Sequence, residues 1–110
     1  MAIDVIIRGS QDATIVDFHG RLDMHSRWHV KAIINQCCHT EFDHLILNLQ
    51  GLTFVDSAGL GFLVISSQQF KDLGRRMTWV EPQGFVGDLI KNLQLQNLIA
   101  ICPNEQDALS

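Results

Sequence analysis

Ser57 is the residue whose type and position could most directly support chemistry in this 110-residue chain. It follows Asp56 where a short apolar run, residues 45–49, gives way to apolar residues spaced three and four positions apart. That change of period predicts a buried strand followed by the start of a helix. A serine there could be a nucleophile only with a base beside it. On the local pattern alone, a capping or turn serine is the favoured interpretation.

Two aspartates, Asp23 and Asp56, are the candidates for a carboxylate pair. Both are predicted to lie at strand-to-helix junctions, which gather at one edge of a parallel sheet. Each could equally serve only as the cap of the helix that follows, because its carboxylate can accept hydrogen bonds from first-turn N–H groups. The sequence predicts no substrate pocket beside them, so we predict no catalytic residue and no enzymatic activity.

Metal-ligating residue types are present, but their spacing does not favour a metal site. His25 and His29 are four positions apart, yet no glutamate follows the first histidine and no third ligand can be named. Surface or capping histidines are therefore favoured. Cys37, Cys38 and Cys102 lack the spacing of a zinc site or a disulfide framework, which favours reduced, buried thiols. We predict neither a metal nor a cofactor.

The helix predicted after Asp56 carries two glycines, Gly59 and Gly61, within one turn. Each costs about 1 kcal/mol relative to alanine in a helix interior. Their presence predicts a close approach to the helix backbone, by a partner surface or by a neighbouring strand. Phe62 and Ile65 lie off the main apolar stripe and are predicted to cover a second core layer rather than an exposed interaction patch.

The elements that must position these residues alternate along the chain. Apolar alternation and short apolar runs predict strands at 3–8, 13–19, 45–49, 76–80 and 98–102. Helical periodicity predicts helices at about 27–39, 56–73 and 85–93, and a short one capped by Asn104. The turns and ends of these elements are predicted at 9–12, Gly20, Gly51, Gly74 and Pro82. The histidines at predicted element ends are expected to be exposed: His19, His39 and His44.

The predicted order of elements, β-β-α-β-α-β-α-β-α, indicates an α/β fold. Strands that alternate with helices favour parallel pairing with crossover helices, while the opening hairpin is antiparallel. We therefore predict a four- to five-stranded mixed sheet with about four helices packed mainly on one face. Residues 1–110 are expected to form a single domain, since this length is close to the commonest domain size.

Composition excludes several classes of function. The net charge is −4 and the sequence has no basic run, so nucleic-acid binding has no electrostatic footprint. No apolar stretch approaches the roughly 18 residues needed to cross a bilayer, which predicts no membrane insertion. The first residues lack the charged and apolar regions of a signal peptide, so we expect a cytoplasmic protein.

Two stretches resemble a known family. Residues 56–63, Asp-Ser-Ala-Gly-Leu-Gly-Phe-Leu, are similar to the signature of STAS domains, specifically the bacterial anti-sigma factor antagonists. Residues 20–23, Gly-Arg-Leu-Asp, resemble the second marker of that family, usually Gly-Glu-Leu-Asp. The order of the predicted elements fits a STAS-like fold over essentially the whole chain. Arg21 replaces the common glutamate and reverses the charge near the docking edge, which bears on the partner's identity more than on the mechanism.

The resemblance implies a partner-switching cycle in which the chain binds and is modified but catalyses nothing. In the family, the serine after the aspartate is phosphorylated, and that position here is Ser57. The unphosphorylated form would bind a serine kinase that also acts as anti-sigma factor, and phosphorylation would release it. A PP2C-type phosphatase would restore Ser57. Asp23, Asp56, Gly59 and Gly61 would lie at or beside the partner-binding site.

Two alternatives from other classes remain open at this point. The domain could be the STAS subunit of a lipid-transport ABC complex, which would co-purify with an ATPase and need no phosphorylation. Less favoured is a serine hydrolase using Ser57, which a fluorophosphonate probe would label.

Overall fold

The computed structural model describes residues 3–10, 12–37 and 43–110. Within these residues the order of elements is the predicted one. The strands are β1 (Ile3–Ser10), β2 (Ala13–Leu22), β3 (His44–Val55), β4 (Arg76–Val80) and β5 (Ala100–Cys102). The helices are α1 (Arg27–Cys37), α2 (Ser57–Asp72), α3 (Gly84–Asn92) and α4 (Glu105–Leu109), with a 3₁₀ turn at Leu95–Asn97.

The strands form one five-stranded mixed sheet in the order β1-β2-β3-β4-β5. β1 pairs antiparallel with β2, and the remaining neighbours are parallel. The mixed sheet predicted from the sequence is thus confirmed. Because β2, β3, β4 and β5 run in the same direction, their carboxyl ends share one edge of the sheet, and the chain leaves that edge towards each following helix.

The main hydrophobic core lies between one face of the sheet and helices α1, α2 and α3. Its largest fully buried side chains include Trp79, Phe18 and Phe70, which come from two strands and α2. A smaller cluster on the opposite face, formed by Ala13, Ile15, Ile46, Val80 and Ala108, packs against the short helix α4. The prediction that the helices pack mainly on one face is confirmed.

The structure extends β1 to Ser10, into the predicted turn, and begins β5 at Ala100, two residues later than predicted. The predicted ends of β2 and β3 are also wrong, and both involve a glycine. β2 continues through Gly20 to Leu22, and β3 runs for 12 residues through Gly51. The β2–β3 register shifts at both places, with extra residues on β3, as in β-bulges. Gly20 has a positive φ of 115°, and a Cβ at Gly51 would lie 2.4 Å from Nδ1 of His19. These glycines accommodate irregularities inside strands instead of ending them.

The histidines at element ends were predicted to be exposed, which is confirmed for His19 and wrong for His44. His19 is exposed. His44 is buried, and its Nε2 lies 2.8 Å from Oγ1 of Thr78 on the neighbouring strand. It sits inside the sheet because β3 begins at His44, one residue earlier than predicted. His39 and Cys38 lie outside the described residues.

Candidate functional site

Ser57 is the first residue of α2 and its side chain is exposed. Asp56 is the N-cap, and its Oδ1 accepts a hydrogen bond of 2.7 Å from the N–H of Gly59. The backbone N–H of Asp56 donates to the carbonyl of Leu22 at 3.2 Å, which ties the start of α2 to the end of β2. The helix start, the cap and the position of Ser57 are therefore as predicted from the sequence.

The two glycines of α2 differ in what surrounds them. A Cβ at Gly59 would lie 2.8 Å from the carbonyl oxygen of Leu22 and 3.0 Å from its Cγ, closer than side chains normally pack. A neighbouring strand therefore explains Gly59, as predicted. Within the described residues, a Cβ at Gly61 would meet no atom within 4 Å. None of the described strands therefore explains Gly61, and a partner surface remains the prediction there.

Asp23 lies in the turn between β2 and α1, where it stabilises that turn. Its Oδ1 accepts a hydrogen bond of 2.9 Å from the N–H of His25. That hydrogen bond is the main cause of a lowered pKa of the Asp23 carboxyl, with desolvation opposing it. The buried hydroxyl of Ser26 completes the turn: it accepts from the N–H of Asp23 at 3.0 Å and donates to the carbonyl of Arg21 at 2.9 Å. Sequence reasoning missed Ser26, although its place three residues after Asp23 is a turn signal.

The strand register brings Asp23 and Asp56 to the same edge of the sheet. Each directly follows one member of the Leu22–Val55 pair of β2 and β3. Each carboxylate, however, accepts from the N–H of its own turn. Asp56 is thus the N-cap of α2, as predicted, whereas Asp23 stabilises the turn before α1 and does not cap that helix, which begins at Arg27.

Arg21, which replaces the common glutamate of the family, makes contacts that sequence reasoning missed. The Arg21 guanidinium lies over the ring of Phe54, 4.1 Å from its centroid. Phe54 in turn stacks on Phe85, with ring centroids 6.2 Å apart and an interplanar angle of 10°. Nε of Arg21 is also 3.9 Å from Oδ2 of Asp23. The positive charge is thus held by an aromatic ring and a carboxylate at this edge.

Two open grooves run beside the first turns of α2. The α2–α3 groove has a volume of about 280 Å³ and is lined by Ser57, Leu60, Gly61, Val64, Leu89 and Leu93. The α1–α2 groove has a volume of about 320 Å³ and is lined by Trp28, Lys31, Ala58, Gly61, Phe62 and Ile65. Gly61 lines both. Because glycine has no side chain, no group protrudes from the helix surface at Gly61 between the two grooves.

The apolar residues off the main stripe of α2 divide between core and surface. Phe62 is half-buried and packs against the main core, as predicted. The prediction is wrong for Ile65, which is 59% exposed. Ile65 lines the open α1–α2 groove opposite Trp28, which is 63% exposed. Apolar surface is therefore available to a partner on this side of Ser57.

The metal-ligating residues are dispersed. His25 precedes α1 and His29 lies within it, and both are exposed, so the two do not share a continuous helix face. Cys37 is buried in the core and Cys102 is half-buried. Among residues 3–10, 12–37 and 43–110, no group of three or more histidine, cysteine, aspartate or glutamate side chains is arranged to hold a metal ion. No helix in the same ranges combines the length and apolarity required to cross a membrane.

The fold is similar to that of several solved structures. An anti-sigma factor antagonist from Mycobacterium paratuberculosis superposes with a TM-score of 0.87 at 19% identity, covering 98% of this chain and 92% of that one. The Bacillus cell fate determinant SpoIIAA in its phosphorylated form gives a TM-score of 0.70 at 18% identity, covering 98% and 96%. RsbS of Moorella thermoacetica gives 0.77 at 19% identity, covering 96% and 91%.

The family follows from a match at the level of sequence. The family model for the STAS domain matches residues 4–108, which include both stretches at the shared sheet edge and all of the helices and strands except the first residue of β1 and the last residue of α4. The fold, the capped start of α2 and this match agree, and the chain belongs to the STAS domain family.

Proposed function

We propose that this protein is an anti-sigma factor antagonist that works by partner switching in the cytoplasm. The unphosphorylated form binds a serine kinase that is also an anti-sigma factor, and phosphorylation at Ser57 releases it. A PP2C-type phosphatase reverses the modification, and the chain itself catalyses no reaction. The observation that carries the proposal is the exposed Ser57 hydroxyl at the first position of a capped helix, between two open apolar grooves.

The grooves supply the contact area that docking requires. Removing apolar surface from water yields roughly 25 cal/mol per Å², and the exposed side chains of Trp28, Ile65 and Leu93 provide such surface on both sides of Ser57. Gly61 between them lets a partner approach the helix backbone. In this proposal Asp23, Asp56, Gly59 and Gly61 are partner-binding or site-adjacent residues, with Asp56 and Gly59 setting the position of α2.

A phosphate on Ser57 changes docking more than it changes the fold. It adds a charge of about −1.5 to −2, and a helix N-terminus stabilises anions by up to about 2 kcal/mol. The neighbouring carboxylate of Asp56 opposes that gain, and the two effects are similar in size. A docked partner would have to desolvate the phosphate. A penalty of about 3–4 kcal/mol would weaken binding several hundredfold.

The test combines phosphosite mapping with calorimetry. The protein is incubated with the cognate kinase and ATP, and the product is mapped by mass spectrometry. Phosphate is expected on Ser57, the Ser57→Ala variant should bind the kinase normally and resist modification, and Ser110→Ala, another exposed serine, should behave as wild type. Phosphate on Ser10, Ser26, Ser66 or Ser67 instead, or equal kinase affinity for both forms, would contradict the proposal.

Two further outcomes would replace the proposal with another class. Stable co-purification with a transporter ATPase, with no modification of Ser57, indicates a subunit of a lipid-transport complex. Fluorophosphonate labelling of wild type that disappears in Ser57→Ala indicates a hydrolase.

A further inference from the structure

A third cavity lies at the opposite end of α2 from Ser57, between the last turns of that helix and strands β4 and β5. Its volume is about 310 Å³, and we call it the distal cleft. Its lining includes three cations, Lys71, Arg75 and Arg76, and five apolar residues: Val64, Met77, Leu98, Ile99 and Ala100. The α2 residues that line it run from Val64 to Lys71, so the cleft begins about 10 Å and ends about 21 Å along the helix from Ser57.

The charges of the distal cleft are unusual in this protein, whose net charge is −4. Of its eight lysines and arginines, five contact a carboxylate or an aromatic ring within the described residues. They are Arg8, Arg21, Arg27, Lys31 and Lys91. The other three have no such contact in that part of the chain, and all three line the cleft.

One of these cations has a buried donor without an acceptor. Nη1 of Arg75 is buried, and within the described residues it has no hydrogen-bond partner. A buried charged donor that lacks a partner is costly, and because Arg75 lines the cleft, an acceptor bound there would satisfy it. Cations near the end of α2 also offset the helix dipole. That effect explains where Lys71 lies, but it leaves the buried donor of Arg75 and the apolar wall unexplained.

The opposite wall of the cleft is apolar. Met77 and Ile99 are buried at its base, and Leu98 at its rim is 71% exposed. Cations facing an apolar wall are complementary to a molecule with an anionic group at one end and a short apolar group at the other. Three positive charges suit a group that carries close to two negative charges, which favours a phosphate monoester over a carboxylate.

We propose that the distal cleft binds a small phosphate monoester that carries a short apolar group. Arg75 donates hydrogen bonds to the phosphate, Lys71 and Arg76 supply positive charge, and Met77 and Leu98 contact the apolar group. The cavity volume suits a soluble small molecule, since it is at the lower end of the range for ligand pockets, about 300–1,000 Å³. The site does not depend on Ser57 or on partner switching.

Amide NMR with monobutyl phosphate as the probe tests the proposal on the full chain. Shifts are expected at the amides of residues 71, 75–77 and 98–100, with residues 57–61 unchanged. Inorganic phosphate and n-butanol, the two halves of the probe, should each bind at least about tenfold more weakly, a difference of about 1.4 kcal/mol. Equal affinity for either half would overturn the proposal, because only one wall of the cleft would then be in use.

Variants distinguish binding in the distal cleft from non-specific attraction of the probe to positive charge. Arg75→Gln should weaken monobutyl phosphate binding about tenfold or more, because a charged hydrogen bond is lost. Arg75→Lys should fall between it and wild type, and Arg27→Gln, which removes an equal charge from α1, should bind normally. Equal weakening by Arg27→Gln would overturn the site, as would binding to phosphatidic acid vesicles without binding to the soluble probe. Unchanged amide spectra elsewhere show that each variant is folded.

Discussion

The two ends of α2 are built for different kinds of contact. At its N-terminus an exposed serine and a capping carboxylate lie beside two open grooves whose linings are mainly apolar. At its C-terminus three cations without partners in the described residues face a cleft with an apolar wall. The first arrangement suits a broad macromolecular surface that a phosphate on Ser57 would repel. The second suits a small anion, so one helix separates two modes of recognition.

A bulky side chain at position 61 is the most direct test of partner docking at the N-terminus of α2. Gly61→Leu should leave the fold intact, because no atom of the described residues lies within 4 Å of the new Cβ. It should reduce kinase affinity about 10- to 100-fold, since overpacking at a close contact typically costs about 1–3 kcal/mol. Calorimetric titration of the kinase measures the loss.

The matched control for that change lies at the other end of the helix. Arg75→Gln should bind the kinase as wild type does. A comparable loss of kinase affinity in Arg75→Gln would show that the partner covers the whole length of α2, and the two ends would no longer be functionally distinct.

The two glycines of α2 should respond in opposite directions to alanine. Gly59→Ala places a Cβ 2.8 Å from the carbonyl oxygen of Leu22 and should cost about 1–3 kcal/mol by overpacking, partly offset by better helix propensity. The Cβ of Gly61→Ala meets no neighbour in the part of the chain that the structure describes, and the substitution should stabilise the protein by up to about 1 kcal/mol. Urea denaturation of both variants measures the difference, and equal stabilities would refute the close contact with β2.

Loss of the N-cap of α2 should have a smaller effect, which is a decrease in the free energy of unfolding. Asp56→Ala removes the acceptor for the N–H of Gly59 and should cost about 0.5–2 kcal/mol. Asp56→Asn keeps an acceptor and should recover most of that loss. Thermal unfolding compares the two, and identical melting temperatures for both variants would show that the hydrogen bond contributes little.

The smallest expected effect is a dependence of protein stability on pH, caused by His44 near the distal cleft. His44 lies opposite Arg76 on the neighbouring strand. Burial, followed by the charge of Arg76, lowers the pKa of His44 below its ordinary value of 6.5. The unfolded chain therefore takes up this proton first as the pH falls. The stability contributed by His44 is complete above about pH 6.5 and is lost below it.

A pH series of unfolding measurements tests this assignment. His44→Gln should flatten the decline in stability between pH 7 and pH 5, whereas His29→Gln, at an exposed position on α1, should leave it unchanged. A decline that persists fully in His44→Gln would assign it to another group.

Features that depend on neighbouring residues in sequence were predictable. The Asp56 cap, the left-handed Gly74 that ends α2 and the Asn104 cap with Asp107 as its donor are all present, because each is decided within one helical turn. The order of strands and helices was predictable for a similar reason, since it follows from local periodicity and chain connectivity.

Features that depend on residues distant in sequence could not be predicted. The glycines at 20 and 51 look like turn residues locally, and only the β2–β3 register shows that they lie inside strands. The exposure of Ile65 depends on how far α1 stands from α2. The stack of Arg21, Phe54 and Phe85 joins three separate elements. The distal cleft likewise combines α2 with two strands, so no local motif could indicate it.

The carbonyl group of Leu22 has a consequence for finding distant members of this family. It accepts the N–H of Asp56 and lies against Gly59, so the end of β2 is the surface on which the first turn of α2 rests. Residues 20–23 and 56–63 are therefore one physical unit, although α1 and much of β3 separate them in the chain. At identities near 19%, a search that requires both stretches at the ends of adjacent parallel strands should discriminate better than either pattern alone.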